Sequence, residues 1–262
     1  MDIIIFGGQS NMQGQCEALT STEIVPNCYE YKYLANKMIP LKNPVGEDIT
    51  YDKTPGYRFD VDTNGPEWLN LHVTGSSGYG HTNLVPEFCR VYTEITGNPV
   101  LAVHATKGST VIADWLPGTA GYRMLVEKSL AAMANAKAKD EVSSIYFVWL
   151  QGESDAIYGN SKTYYKEKIS ILSDALKKDI GINKFGIIRV GRFTNDDRDL
   201  EIIAAQDEIC RENDDFLMLT DIATELNQQS EYMNPFVRGH FSAAGLEKLG
   251  AEAGKTLANY SK

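Results

Sequence analysis

Short apolar runs alternate along this chain with longer stretches in which apolar positions recur every three or four residues. Ile3-Ile4-Ile5-Phe6 is unbroken and mostly β-branched, the pattern of a strand buried on both faces, and it stops at Gly7-Gly8. Val100–His104, Ser144–Leu150, Phe185–Val190 and Phe216–Thr220 read as four more strands. Leu84, Val85, Phe88, Val91, Tyr92 and Ile95 fall at helical spacing within 82–96, and Gly97-Asn98-Pro99 ends that helix. Helices are also expected over Tyr122–Lys137, which is Ala-rich, over Ser161–Asp179, over Leu200–Arg211, and from a Ser242 cap to about Leu257. Strands alternating with helices imply a parallel sheet reached by right-handed crossovers and covered on both faces. The expectation is α/β: a three-layer α/β/α sandwich around a central five-stranded parallel sheet. No linker or compositional break divides 1–262, so a single domain is expected.

One long stretch breaks the rhythm. From about 15 to 80 the chain is rich in Gly, Pro, Asn, Asp and Tyr, with Asn43-Pro44, Thr54-Pro55-Gly56 and Asn64-Gly65-Pro66 marking turns. It is expected to be an irregular insertion, and a loop of that length is usually functional or disordered. Its aromatics (Tyr29, Tyr31, Tyr33, Tyr51, Tyr57, Phe59, Trp68, Tyr79) argue against disorder. They would either line a sugar-binding surface or pack the loop onto the body.

Charge and composition narrow the partners. The 262 residues carry a formal charge of −10 with 43% hydrophobic content, which suits a globular protein and speaks against nucleic acid or an anionic membrane as partner. No apolar run approaches the ~20 residues that span a bilayer. Met1 runs almost directly into the first strand with no signal-peptide pattern ahead of it, compatible with a cytoplasmic protein or a secreted one whose leader is gone. Cys16, Cys28, Cys89 and Cys210 form no CxxC pair; free thiols are favoured, with a Cys16–Cys28 disulfide left open. His72, His81, His104 and His240 show no metal-ligand spacing, so neither metal nor cofactor is expected. Oligomeric state leaves no sign in the sequence.

In a parallel sheet, polar residues at the C-terminal ends of strands share one edge of the molecule. Those ends carry Ser10, Gly108-Ser109-Thr110 and Gln151-Gly152-Glu153-Ser154-Asp155, while His240 stands just before the last helix. Together they are parts for nucleophilic acyl transfer. A serine hydroxyl attacks well only when a base takes its proton, a histidine base is oriented by an acid, and the tetrahedral oxyanion needs fixed donors. The first turn has neither GxGxxG nor a Lys-Ser/Thr phosphate loop, which disfavours a flavodoxin-like nucleotide binder.

Gly8-Gln9-Ser10-Asn11-Met12, Gly108-Ser109-Thr110 with Ile112 and Trp115, Gln151-Gly152-Glu153-Ser154-Asp155 and His240-Phe241-Ser242-Ala243-Ala244-Gly245 resemble, in order, the blocks of one family. It is the sialate O-acetylesterase-like branch of the SGNH hydrolases, the carbohydrate esterase family 6 type that includes acetylxylan esterases. The resemblance implies Ser10 as nucleophile and His240 as general base. It also implies an oxyanion hole from the Ser10 and Gly108 N–H groups and the Gln151 amide, with Asn11, Trp115 and Asp155 as substrate contacts. An acetylated carbohydrate would be the substrate. One position departs: relatives often carry an Asp three residues before the His, and Val237 stands there. Glu153 is the leading candidate for the missing acid, ahead of Glu231 and Asp221, giving a triad Ser10-His240-Glu153. The leading function is a carbohydrate O-acetylesterase acting on xylan or related glycans. A sialate O-acetylesterase and a non-catalytic carbohydrate-binding protein on the same fold are the alternatives. Arg189, Arg192 and Gln206 are expected to hold loops, and Lys107 would bias the pocket toward polar or anionic groups.

Overall fold

The computed structural model describes residues 1–33, 35–46 and 82–262. All five expected strands are present: β1 (Asp2–Gly8), β4 (Val100–Thr106), β5 (Ile145–Leu150), β6 (Lys184–Ile188) and β7 (Phe216–Thr220). Two more, β2 (Cys28–Lys32) and β3 (Lys37–Pro40), lie inside the stretch expected to be irregular. The sheet has seven strands in the order β3-β2-β4-β1-β5-β6-β7, parallel throughout except where β3 runs antiparallel to β2.

β1 is central. Its Ile3, Ile4 and Ile5 side chains are fully buried, and it pairs with β4 on one side and β5 on the other, so that Gly8 stands level with both Thr106 and Leu150. The helices are α1 (Ser10–Gln13), α2 (Leu84–Thr96), α3 (Ala120–Lys137), α4 (Glu153–Tyr158), α5 (Lys162–Asp179), α6 (Arg198–Glu212), α7 (Ala223–Leu226) and α8 (Ala243–Tyr260). From β4 the chain steps to β5, β6 and β7 in one direction, so right-handed crossovers carry α3, α5 and α6 over one face. On the other face α2 packs along α8 so closely that a Cβ at Gly250 or Gly254 would run into the Leu84 or Phe88 backbone. The chain leaves β1 in one direction and returns past it toward β5, which puts the topological switch point at the C-terminal end of β1.

Tyr31 and Tyr33 are buried, the packing alternative of the two considered for the aromatics. Tyr51, Tyr57, Phe59, Trp68, Tyr79, His72 and His81 lie outside the described residues. All four cysteines are free thiols, and no disulfide joins Cys16 to Cys28. Among the described residues no helix is long and apolar enough to cross a membrane.

Candidate active site

The end of β1 forces a sharp turn. Gly8 takes a φ of 143°, and a Cβ there would strike the Leu150 carbonyl, so the backbone passes where only glycine fits. Gln9 N–H donates to Leu150 O (3.1 Å), and α1 starts at once with Ser10. As the first residue of that helix, Ser10 has an N–H with no intrahelical acceptor. Its hydroxyl has no partner among the described residues and lines a cavity of about 410 Å³.

Three other segments converge on this cavity. The loop after β4 contributes Ser109, held in the left-handed region at φ 61°. Gly108 beside it is so near Ser10 that a Cβ there would sit 3.7 Å from Ser10 Cβ. Glu153, the first residue of α4, reaches the cavity after β5, and the loop before α8 contributes Arg238 and His240. Ser10, Glu153 and His240 therefore face one space, although 230 positions of sequence separate the first from the last.

The geometry of His240 is particular. Its Nδ1 lies 3.1 Å from the Arg238 carbonyl oxygen, so this nitrogen carries the proton and donates it there, leaving Nε2 as the basic nitrogen. Nε2 is shielded and has no partner. Among the described residues no carboxylate pairs with the ring. The Ser10-His240-Glu153 triad requires a bond from Glu153 to the imidazole, and the structure has a different one: Glu153 Oε1 accepts from Asn11 Nδ2 at 2.8 Å, while Oε2 is buried without a partner. Burial raises the Glu153 pKa above its ordinary 4.5, with the Asn11 bond working against the rise. Asn11 also donates to Gly239 O (3.2 Å) and accepts from Phe241 N–H (3.1 Å). Glu153 thus reaches the histidine loop through Asn11.

Four expected contacts are corrected. Gln151 is fully buried and does not line the cavity; its Nε2 faces Thr110 O (2.9 Å), Asp155 Oδ2 (2.5 Å) and Gln9 Oε1 (3.2 Å), leaving no hydrogen for an oxyanion. Trp115 is fully buried, edge-on to Trp149 at 5.4 Å, with its indole N–H on Thr110 Oγ1 (3.0 Å). Asp155 accepts from Ile112 N–H (2.9 Å) and Asn160 Nδ2 (2.7 Å) and ties loops together. Asn11 is a bridge and not a cavity wall. Arg189, bonded to Asp207, Arg192, paired with Asp199, and Gln206, bonded to Val190 N–H, do hold loops as expected. Lys107 lies off the cavity wall. The expected site left out further wall residues: Gln9 and Ser109 lie inside the quoted blocks and Arg238 stands two positions before His240, whereas the 193–196 segment carries no motif that pointed to it. No cluster of three metal-binding side chains occurs among the described residues.

A doubly wound sheet with a serine at its switch point and a histidine from the last loop is the architecture of the SGNH hydrolases, a class that cleaves esters. Within that class the chain belongs to the carbohydrate esterase family of sialic acid-specific acetylesterases, whose model matches residues 1–259. No protein of curated function matches the sequence. Among solved structures it is similar to a protein from Arabidopsis thaliana (17% identity, TM-score 0.64, covering 99% of this chain and 98% of that one). It is also similar to NanS (15%, TM-score 0.62, 99% and 97%). A carbohydrate acetylesterase from Xanthomonas citri is a third match (16%, TM-score 0.53), of which the chain covers 57%. At these identities the likeness is one of fold.

Proposed function

We propose that this chain is a serine O-acetylesterase that removes acetyl groups from carbohydrates through an acyl-enzyme, with xylan or a related glycan as substrate. The observation that carries the reading is the shared cavity, onto which the free Ser10 hydroxyl opens and in whose wall His240 holds an unpartnered Nε2. Ser10 Oγ adds to the acetyl carbonyl carbon as its proton passes to His240 Nε2, and the carbonyl π pair moves onto oxygen. Collapse expels the sugar oxygen, which takes the proton from His240. Water then repeats the sequence on the acetyl-enzyme and releases acetate. Asn11 and Glu153 position the loop that carries the base. A recess of about 220 Å³ shares Phe193, Asn195 and Arg238 with the main cavity and offers room for the sugar.

A second reading is favoured by one side chain. Arg238 pairs with no carboxylate among the described residues and bonds Asn195 Oδ1 at the cavity wall. An unneutralised guanidinium there suits an acidic sugar such as O-acetylated sialic acid. Acetate release from acetylated xylan, neutral acetylated oligosaccharides and O-acetyl sialic acid, with Ser10→Ala as control, tests both. Release that depends on Ser10 supports the esterase, and its absence on every substrate leaves the carbohydrate-binding alternative.

A further inference from the structure

We propose that the Gln9 side-chain amide, and not that of Gln151, is the side-chain donor to the oxyanion; the proposal rests on the esterase reading above. Gln9 Oε1 faces three donors, Gln151 Nε2 (3.2 Å), Ser154 N–H (3.2 Å) and, more weakly, Gly152 N–H (3.4 Å). Turning the amide over would set its NH₂ against three N–H groups, so its orientation is fixed. The nitrogen must then point away from α4. It donates to no described residue, and it is not among the sealed unpartnered atoms, so it opens onto the cavity that Gln9 lines beside Ser10. Gln151 is placed the opposite way, its nitrogen spent on protein acceptors and its side chain off the cavity wall. The two glutamines form a relay: Gln151 anchors Gln9, and Gln9 presents its donor.

An amide nitrogen held open beside a nucleophile matches what the developing charge needs. As Ser10 Oγ bonds to the acetyl carbon and its proton goes to His240 Nε2, the carbonyl oxygen becomes an oxyanion. The Ser10 N–H and the Gly108 N–H meet it from the backbone, and Gln9 Nε2 supplies the third bond. A donor aimed there in advance strengthens its bond as charge builds, lowering the barrier without tightening substrate binding.

The test uses 4-nitrophenyl acetate and an acetylated oligosaccharide. Gln9→Glu keeps an oxygen for Gly152 and Ser154 but loses the donor. It should fold with a melting temperature near that of the parent, and kcat should fall by about 10²–10³-fold with KM within about threefold. Gln9→Met, as a second variant, should show the same kcat loss with lowered stability. Gln151→Met should lose stability and keep kcat within about tenfold. Inactivation by a 4-nitrophenyl phosphonate, whose phosphoryl oxygen occupies the same hole, should slow in parallel with kcat in the Gln9 variants. A Gln9→Glu enzyme within threefold of parental kcat overturns the assignment, as does a Gln151→Met enzyme matching its kcat loss at unchanged stability. Turnover that survives Ser10→Ala would instead remove the esterase reading, so the two failures are told apart.

Discussion

Replacing Glu153 with Gln separates what this carboxylate does by charge from what it does by hydrogen bonding. The isosteric amide keeps an acceptor for Asn11 Nδ2, the bond that measures 2.8 Å, and so preserves the two contacts by which Asn11 joins α1 to the 239–241 loop. It removes a negative charge that has no bond to His240. A through-space contribution of about 1 kcal/mol to the imidazolium stage corresponds to about fivefold in rate. A carboxylate bonded directly to the base would be worth ~10⁴-fold. Glu153→Gln should therefore lose less than about tenfold in kcat on 4-nitrophenyl acetate. Glu153→Ala strands a buried Asn11 donor, costing about 1–3 kcal/mol of stability, and the loosened loop should lower kcat further, by about 10²-fold. Stability gives an independent check. Burial raises the folded pKa of Glu153 above 4.5, so the folded state holds the proton more tightly and native stability falls as pH climbs from 4.5 through the raised value. Glu153→Gln escapes that loss: its melting temperature should exceed the parent's at pH 7 and match it below pH 4.5. A Glu153→Gln enzyme as inactive as Ser10→Ala would refute the indirect role and place the carboxylate on the imidazole during turnover.

Three further outcomes follow from particular environments. Burial lowers the pKa of His104 to about 3, so the unfolded chain takes up a proton that the fold refuses as pH drops from 6.5 toward 3, at a cost of up to about 5 kcal/mol. His104→Gln retains a donor for Met12 O and should flatten that acid limb in denaturant titrations at pH 7 and pH 4; an unchanged limb would exclude His104 as its source. Arg238→Gln should cut kcat/KM on O-acetyl sialic acid by about 10-fold or more while leaving neutral acetylated oligosaccharides within threefold; equal losses on both would discount anion recognition. Ser109→Gly should relieve about 1 kcal/mol of left-handed strain and raise the melting temperature, with KM shifting because a cavity hydroxyl is lost; a lower melting temperature would contradict it.

The five sheet strands were legible because their burial on both faces leaves apolar runs that nothing else in the chain imitates. β2 escaped for the opposite reason. Cys28-Tyr29-Glu30-Tyr31-Lys32 carries two charges that read as solvent-facing, yet Glu30 and Lys32 are both buried and pair with each other at 2.8 Å. Charges hidden by mutual neutralisation look identical in sequence to charges in water. The same ambiguity governs the site. Ser10 and His240 could be located because strand ends and block order fix where the backbone goes. Polar side chains such as Gln151, Asp155 and Asn11 could be assigned to the right neighbourhood but not to the right task. Their partners come from Gln9, Thr110, Ile112 and Phe241, segments that only the fold assembles, and whether an amide faces protein or cavity depends on which of those partners reaches it first.

On the proposed esterase reading, Val237 shows how a missing acid can leave the base, His240, oriented. Asn234 Oδ1 accepts from the N–H groups of Phe236 and Val237 (2.9 and 3.1 Å), and Asn234 N–H donates to His240 O (2.9 Å), closing the turn on itself. His240 N–H reaches back to Val237 O (3.3 Å), and a bridge between Met233 and Phe241 locks the two ends of the loop. Inside that closed turn the Arg238 carbonyl is held 3.1 Å from Nδ1. A carbonyl fixes the tautomer as a carboxylate would, since both accept the Nδ1 proton, but it brings no negative charge to stabilise the imidazolium. Orientation and charge compensation, which one acid provides together, are here divided: the turn supplies the first. On the proposed mechanism the second would fall to Glu153, buried in the same cavity wall and linked to the loop through Asn11. A side chain at 237 is then free to vary as long as the backbone around Asn234 is kept.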